Sequence, residues 1–88
     1  MAIKLRKEVR EFAESMELEL RANDHRGGWK DEKDAYLFGM AIQNITSSMR
    51  QEDDNYIKRK ECIDAANFLM MARDNSIRAL RQKTGGES

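Results

Sequence analysis

An all-α fold is expected for this 88-residue chain, and three observations lead there. It contains no proline. It is rich in Ala, Leu, Met, Glu, Lys and Arg, the residues that fit a helix at least cost. Its apolar residues recur at spacings of three and four, with no alternation of the kind a strand requires. The pattern resolves into three helices and one domain over 1-83, followed by a tail over 84-88 (Thr84-Gly85-Gly86-Glu87-Ser88) that is expected to fray. A chain this short buries only roughly 60–65% of its unfolded surface. A three-helix protomer that completes its bundle by oligomerisation, as a dimer or tetramer, is therefore expected.

The first helix is expected from about Ile3 to Ala22. Leu5, Val9, Phe12, Met16 and Leu20 draw one apolar stripe, and alternating acids and bases fill the remaining faces as solvated i,i+4 pairs. The stretch Asn23-Asp24-His25-Arg26-Gly27-Gly28-Trp29-Lys30 breaks it, because paired glycines end regular structure and permit positive φ. Cationic and aromatic groups crowd this loop. Trp29 could stack on a base with Arg26 or Lys30 on phosphate, or Trp29 could simply plug the end of the bundle.

The second helix is expected to begin near Glu32–Asp34, with acids at its positive end, and to reach about Gln51. It carries no charge from Ala35 to Met49, in a chain that is 36% charged. Phe38, Ile42, Ile45 and Met49 form an apolar stripe, and Gln43, Asn44, Ser47, Ser48 and Gln51 a neutral polar face. Exposed helix is normally charged, so this face is expected to meet a helix, a second subunit or a ligand. Gly39 costs about 1 kcal/mol in a helix interior, which suggests close packing there. Asp53 or Asp54 is a suitable cap for the third helix.

That third helix, running to about Arg81, is expected to be central. Between Cys62 and Ala72 only Asp64 and Asn67 are polar, and a helix apolar on all sides is a buried one. At about 100° per residue, Glu61 and Asp64 share a sector with Ile57, Phe68 and Ala72. An acid buried there needs a cation or strong hydrogen bonds, and an arginine from helix one or a second subunit could answer it.

Sixteen basic residues balance sixteen acidic ones, which argues against a nucleic-acid or membrane surface. The start of the chain is too polar for a signal peptide. The lone Cys62, expected to be buried, fits a reducing compartment, so a soluble cytoplasmic protein is expected.

Three blocks carry a resemblance: Asn23 to Lys30, Tyr36-Leu37-Phe38, and Lys60-Glu61-Cys62-Ile63-Asp64-Ala65-Ala66-Asn67-Phe68-Leu69-Met70-Met71. Together, over roughly residues 12–76, they resemble small MazG-like proteins of the all-α NTP pyrophosphohydrolase group, common in bacteriophages and bacteria. The resemblance implies an oligomeric helical bundle and Mg²⁺-dependent cleavage of a nucleoside triphosphate to the monophosphate and pyrophosphate. It implies metal ligation by E-x-x-E on one helix and E-x-x-D on the next. The second pair corresponds to Glu61 and Asp64. The first falls near Asn44 and Ser47, where both side chains are neutral, and two acids supply too little charge for a pair of Mg²⁺ ions. The resemblance thus implies a nucleotide-binding protein with weak or absent hydrolysis. In it Glu61 and Asp64 would hold any Mg²⁺, Asn67 would orient phosphate or ribose, and Arg59, Lys60, Arg26 or Lys30 would offset phosphate charge. The alternative is a small helical inhibitor or adaptor, phage-encoded in some cases, that binds a protein target through the neutral face of helix two.

Overall fold

The computed structural model describes residues 3–24, 27–51 and 53–85. It contains three helices, α1 (Lys7–Ala22), α2 (Asp34–Arg50) and α3 (Asn55–Gly85), and no strand among the described residues. No helix is long and apolar enough to cross a membrane. His25 and Arg26 of the central loop, and the last three residues of the expected tail, lie outside the described residues. Thr84 and Gly85 continue α3 rather than leave it.

Local chemistry accounts for most of the boundaries. α1 starts at Lys7, four residues later than the expected Ile3, with Arg6 extended before it and no side chain capping its first turn. At its other end the Asn23 backbone N–H donates to the Leu20 carbonyl, and its Nδ2 donates to the Glu19 carbonyl at 2.9 Å. Gly27 has φ +83°, the one positive φ the loop needs. The Asp54 carboxylate accepts the Ile57 backbone N–H at 3.0 Å, so Asp54 is the cap that opens α3.

α3 is the platform on which the other two helices rest. Both pack against it, and nowhere do Cα atoms of α1 and α2 come within 8 Å of each other. The first two helices therefore do not pair with each other. The α2–α3 seam is built of small residues, Ala41, Ala65 and Ala72, with Leu37 as the single large side chain fully buried. Alanines let two helix axes approach closely, but they bury little apolar area.

Several expected faces are turned. α2 puts Leu37, Ala41, Asn44 and Ser48 toward α3, while Phe38, Ile42, Ile45 and Met49 stay exposed, Met49 at 71%. A Cβ at Gly39 would meet nothing within 4 Å, so close packing inside the protomer does not explain that glycine. Cys62 is exposed, as is Leu69, so α3 is sheltered on part of its circumference only. On α1, Leu5, Val9 and Phe12 are exposed, and only Met16, Leu20 and their neighbours toward the C-terminus are sheltered.

The consequence is a large surface. The chain exposes 7515 Å², whereas a folded monomer of 10.2 kDa exposes about 5,300 Å². Its radius of gyration is 15.3 Å, against roughly 12 Å for a compact domain of this length.

One polar cluster ties the central loop down. The Trp29 indole Nε1–H donates to Asp74 Oδ2 at 3.0 Å, and Arg78 donates to the same oxygen at 2.8 Å. Asn75 Nδ2 donates to the Trp29 carbonyl at 2.9 Å, and Arg78 donates to Asn75 Oδ1 at 2.7 Å. The indole hydrogen bond, with help from Arg78, holds the Asp74 carboxyl below its ordinary value. A carboxyl with a lowered folded-state pKa stabilises the fold fully above the unfolded value, and that contribution is lost as pH falls through the folded one. Trp29 is the sole tryptophan and so reports on this latch. Its emission is expected to shift to the red, reversibly, as pH drops below about 4. Asp74→Ala is expected to show the red-shifted emission already at neutral pH. Fluorescence titration of both proteins checks it.

Candidate functional site

Because the backbones of α1 and α2 both rest on α3 and stay apart from each other, a cleft of about 420 Å³ opens between them. Its floor is α3, through Lys60, Asp64, Asn67, Phe68 and Met71. The end of α1 supplies one wall through Glu19, Leu20 and Asn23, and the loop closes the top with Asp24, Gly27, Gly28, Trp29 and Glu32. α2 supplies the other wall through Tyr36, Leu37, Met40 and Asn44. Spacing explains the floor: 60, 64, 67, 68 and 71 recur at three and four along a single helix face.

Asn67 is the buried polar centre of the cleft, 4% exposed. Its Nδ2 donates to the Met16 carbonyl of α1 at 3.2 Å, which ties α1 to α3 midway along both helices. Its Oδ1 has no partner, and neither does Oδ1 of Asn44 on the opposite wall. A shielded acceptor without a donor costs about 1–3 kcal/mol. Native interiors hold few such atoms, and here both belong to residues that line one cleft.

Charge at the cleft is asymmetric. Glu19, Asp24, Glu32 and Asp64 line it against one ammonium, Lys60. Lys60 Nζ lies 3.1 Å from Asp64 Oδ2 and 3.4 Å from Glu19 Oε1. The hydrogen bond to Asp64, reinforced by both negative charges, raises the Lys60 pKa. The cation answering Asp64 is therefore a lysine one turn earlier on its own helix. No arginine from α1 takes that part.

The residues singled out by sequence fall into three groups. Asp64, Asn67, Lys60, Trp29 and Asn44 come together in the cleft. Glu61 is half-buried on α3, outside the cleft lining and without an ion pair among the described residues. Ser47 lies on a shallow depression of the outer α2 surface with Ile42, Gln43, Thr46, Arg50 and Gln51. Lys30 is exposed beyond the cleft, and Arg26 is outside the described residues. Trp29 both lines the cleft and is fastened to Asp74, so the stacking and plugging roles weighed for it are not exclusive.

As a Mg²⁺ site the assembled donors do not fit. Of the two expected carboxylate positions on each helix, one per helix reaches the cleft, Asn44 on α2 and Asp64 on α3. Asp64 is already engaged by an ammonium. Among the described residues no three of His, Cys, Asp and Glu gather in a way that could hold a metal ion. The sequence reading missed Glu19, Asp24, Glu32 and Tyr36 as lining residues. Their spacing carries no signal, because it is the bend between α1 and α2 that brings them to α3.

Compared with known protein families, curated proteins and solved structures, the chain matches none of them.

The unpaired oxygen of Asn44 marks the cleft as a place where stability is given up. Asn44→Leu removes the orphan acceptor beside an open cleft that can take the larger side chain, and is expected to stabilise the protein by about 1 kcal/mol. That corresponds to a rise in Tm of roughly 4–8 °C for a domain of this size, to be read by thermal denaturation.

Proposed function

We propose that the protein binds a nucleotide in the cleft between α1, α2 and α3 without turning it over at a useful rate. One observation carries the reading: a cleft of nucleotide size is flanked by the aromatic side chains of Trp29, Tyr36 and Phe68 and bordered by the carboxamides of Asn44 and Asn67. Base and ribose supply N–H and O–H donors and an aromatic face. Phosphates sit poorly beside Glu19, Asp24, Glu32 and Asp64. They belong at the mouth, near the solvent-facing Lys60, with any Mg²⁺ carried in by the triphosphate itself. The MazG-like resemblance of the sequence supports the same ligand class. The donor set argues against hydrolysis, since a charge-neutralised Asp64 and a carboxamide at position 44 cannot bracket a phosphoanhydride with two metal ions.

Thermal shift and calorimetry with the common nucleoside triphosphates, with and without Mg²⁺, test this. A ligand at 100 times its dissociation constant adds about 2.7 kcal/mol of stability. At least one nucleotide is expected to raise Tm, with no pyrophosphate released over hours. Absence of a shift with every nucleotide would remove the reading, and rapid release of pyrophosphate would return the protein to the enzymes.

The working form in this proposal is a symmetric oligomer. The excess surface of roughly 2,000 Å² per chain, relative to a monomer of this mass, is of the size an obligate interface buries. The α2 stripe Phe38, Ile42, Ile45 and Met49 is its candidate centre. Gly39, with open space around it, adjoins that stripe and would admit a partner helix. A dimer or larger species is expected in sedimentation at micromolar concentration, dispersed by Ile42→Glu. A stable monomer would overturn this assembly.

A further inference from the structure

We propose that this cleft prefers nucleotides whose base carries a positive charge, as a base alkylated on a ring nitrogen does, over their neutral counterparts. The inference rests on the nucleotide reading above and adds the class of base. It comes from the charge of the cleft and the aromatic faces inside it, taken together.

Carboxylates outnumber cations in the lining, with Glu19, Asp24, Glu32 and Asp64 against Lys60 alone. Lys60 commits its ammonium to Glu19 and Asp64. Asp24 and Glu32 make no ion pair among the described residues, so the cleft keeps a surplus of negative charge. The Glu19 and Asp64 side chains are only 35% and 21% exposed, so salt screens their field less than that of a free surface acid. Trp29, Tyr36 and Phe68 add the second requirement. The face of an aromatic ring is negative and attracts a cation laid over it. The hydrogen bond from the Trp29 indole to Asp74 holds that ring before any ligand arrives, which spares the cost of ordering a mobile side chain. A neutral base gains stacking alone. A cationic base gains stacking, the pull of the ring faces and the field of the unanswered carboxylates.

N1-methyl-ATP and N6-methyl-ATP carry the same added methyl group on the same base. Only the first is a cation at a pH of about 6.5, where the carboxylates stay ionised. ATP completes the set as the neutral parent. Titration calorimetry on the whole chain is expected to give N1-methyl-ATP an advantage of about 10-fold or more in Kd over both. Replacing both unpaired acids, Asp24→Asn with Glu32→Gln, is expected to shrink that ratio severalfold. Trp29 emission of the free double variant, unchanged from the wild type, shows that the loop latch is intact. If ATP or N6-methyl-ATP binds as tightly as N1-methyl-ATP, the charge rule falls while nucleotide binding stands. If the ratio survives the double variant unchanged, these carboxylates are not what the base meets and the rule falls again. If none of the three binds while another common triphosphate does, this inference falls alone. If no triphosphate binds, it falls together with the nucleotide reading.

Discussion

Everything in this molecule follows from α3 being the only surface that α1 and α2 share. Two helices that rest on a third without meeting cannot close a core over it. The protomer therefore seals one seam, between α2 and α3, with alanines and a single leucine, and leaves a gap on the other side. The gap is the cleft, and the thin seam is the reason so much apolar surface stays outside. Site and stability problem have one geometric origin.

Polar contacts rather than apolar burial set the angle of the gap. Asn67 reaches across to the Met16 carbonyl and holds α1 at a fixed distance from α3. At the other end, Trp29, Asp74, Asn75 and Arg78 hold the loop that joins α1 to α2. Each of these contacts places a polar group where hydrocarbon would pack better. Such contacts are directional, so they determine where helices sit more than how strongly they are held. A chain arranged this way keeps its cleft open at some cost in stability.

Lys60 gives the cleft its particular chemistry. One ammonium lies between Glu19 and Asp64 and offsets both carboxylates. The acid at position 64 is thereby stabilised by the chain itself. Asn44 extends the same theme, supplying an oxygen without the charge an acid would bring. The cleft thus combines aromatic surface with carboxamides and carboxylates around one ammonium.

What the chain determined by itself was local. Helical content, the Gly27-Gly28 break, the Asp54 cap and the concentration of polar interest at Asp64 and Asn67 all follow from interactions within a few residues. Those interactions are written in the order of the side chains. Which face of α2 turns inward was not legible, because two apolar stripes about 100° apart, Leu37–Ala41 and Phe38–Ile42–Ile45–Met49, compete for α3. Hydrophobicity favours the larger stripe, and the smaller won because only small side chains let the helix axes approach. The same limit hid the partners of Trp29 and Lys60, and it let Glu61 look equivalent to Asp64. Spacing along one helix says which residues share a face, whereas the crossing of helices decides which part of that face meets a neighbour. Only the tertiary structure could decide that, since it depends on contacts between residues some 40 to 50 positions apart.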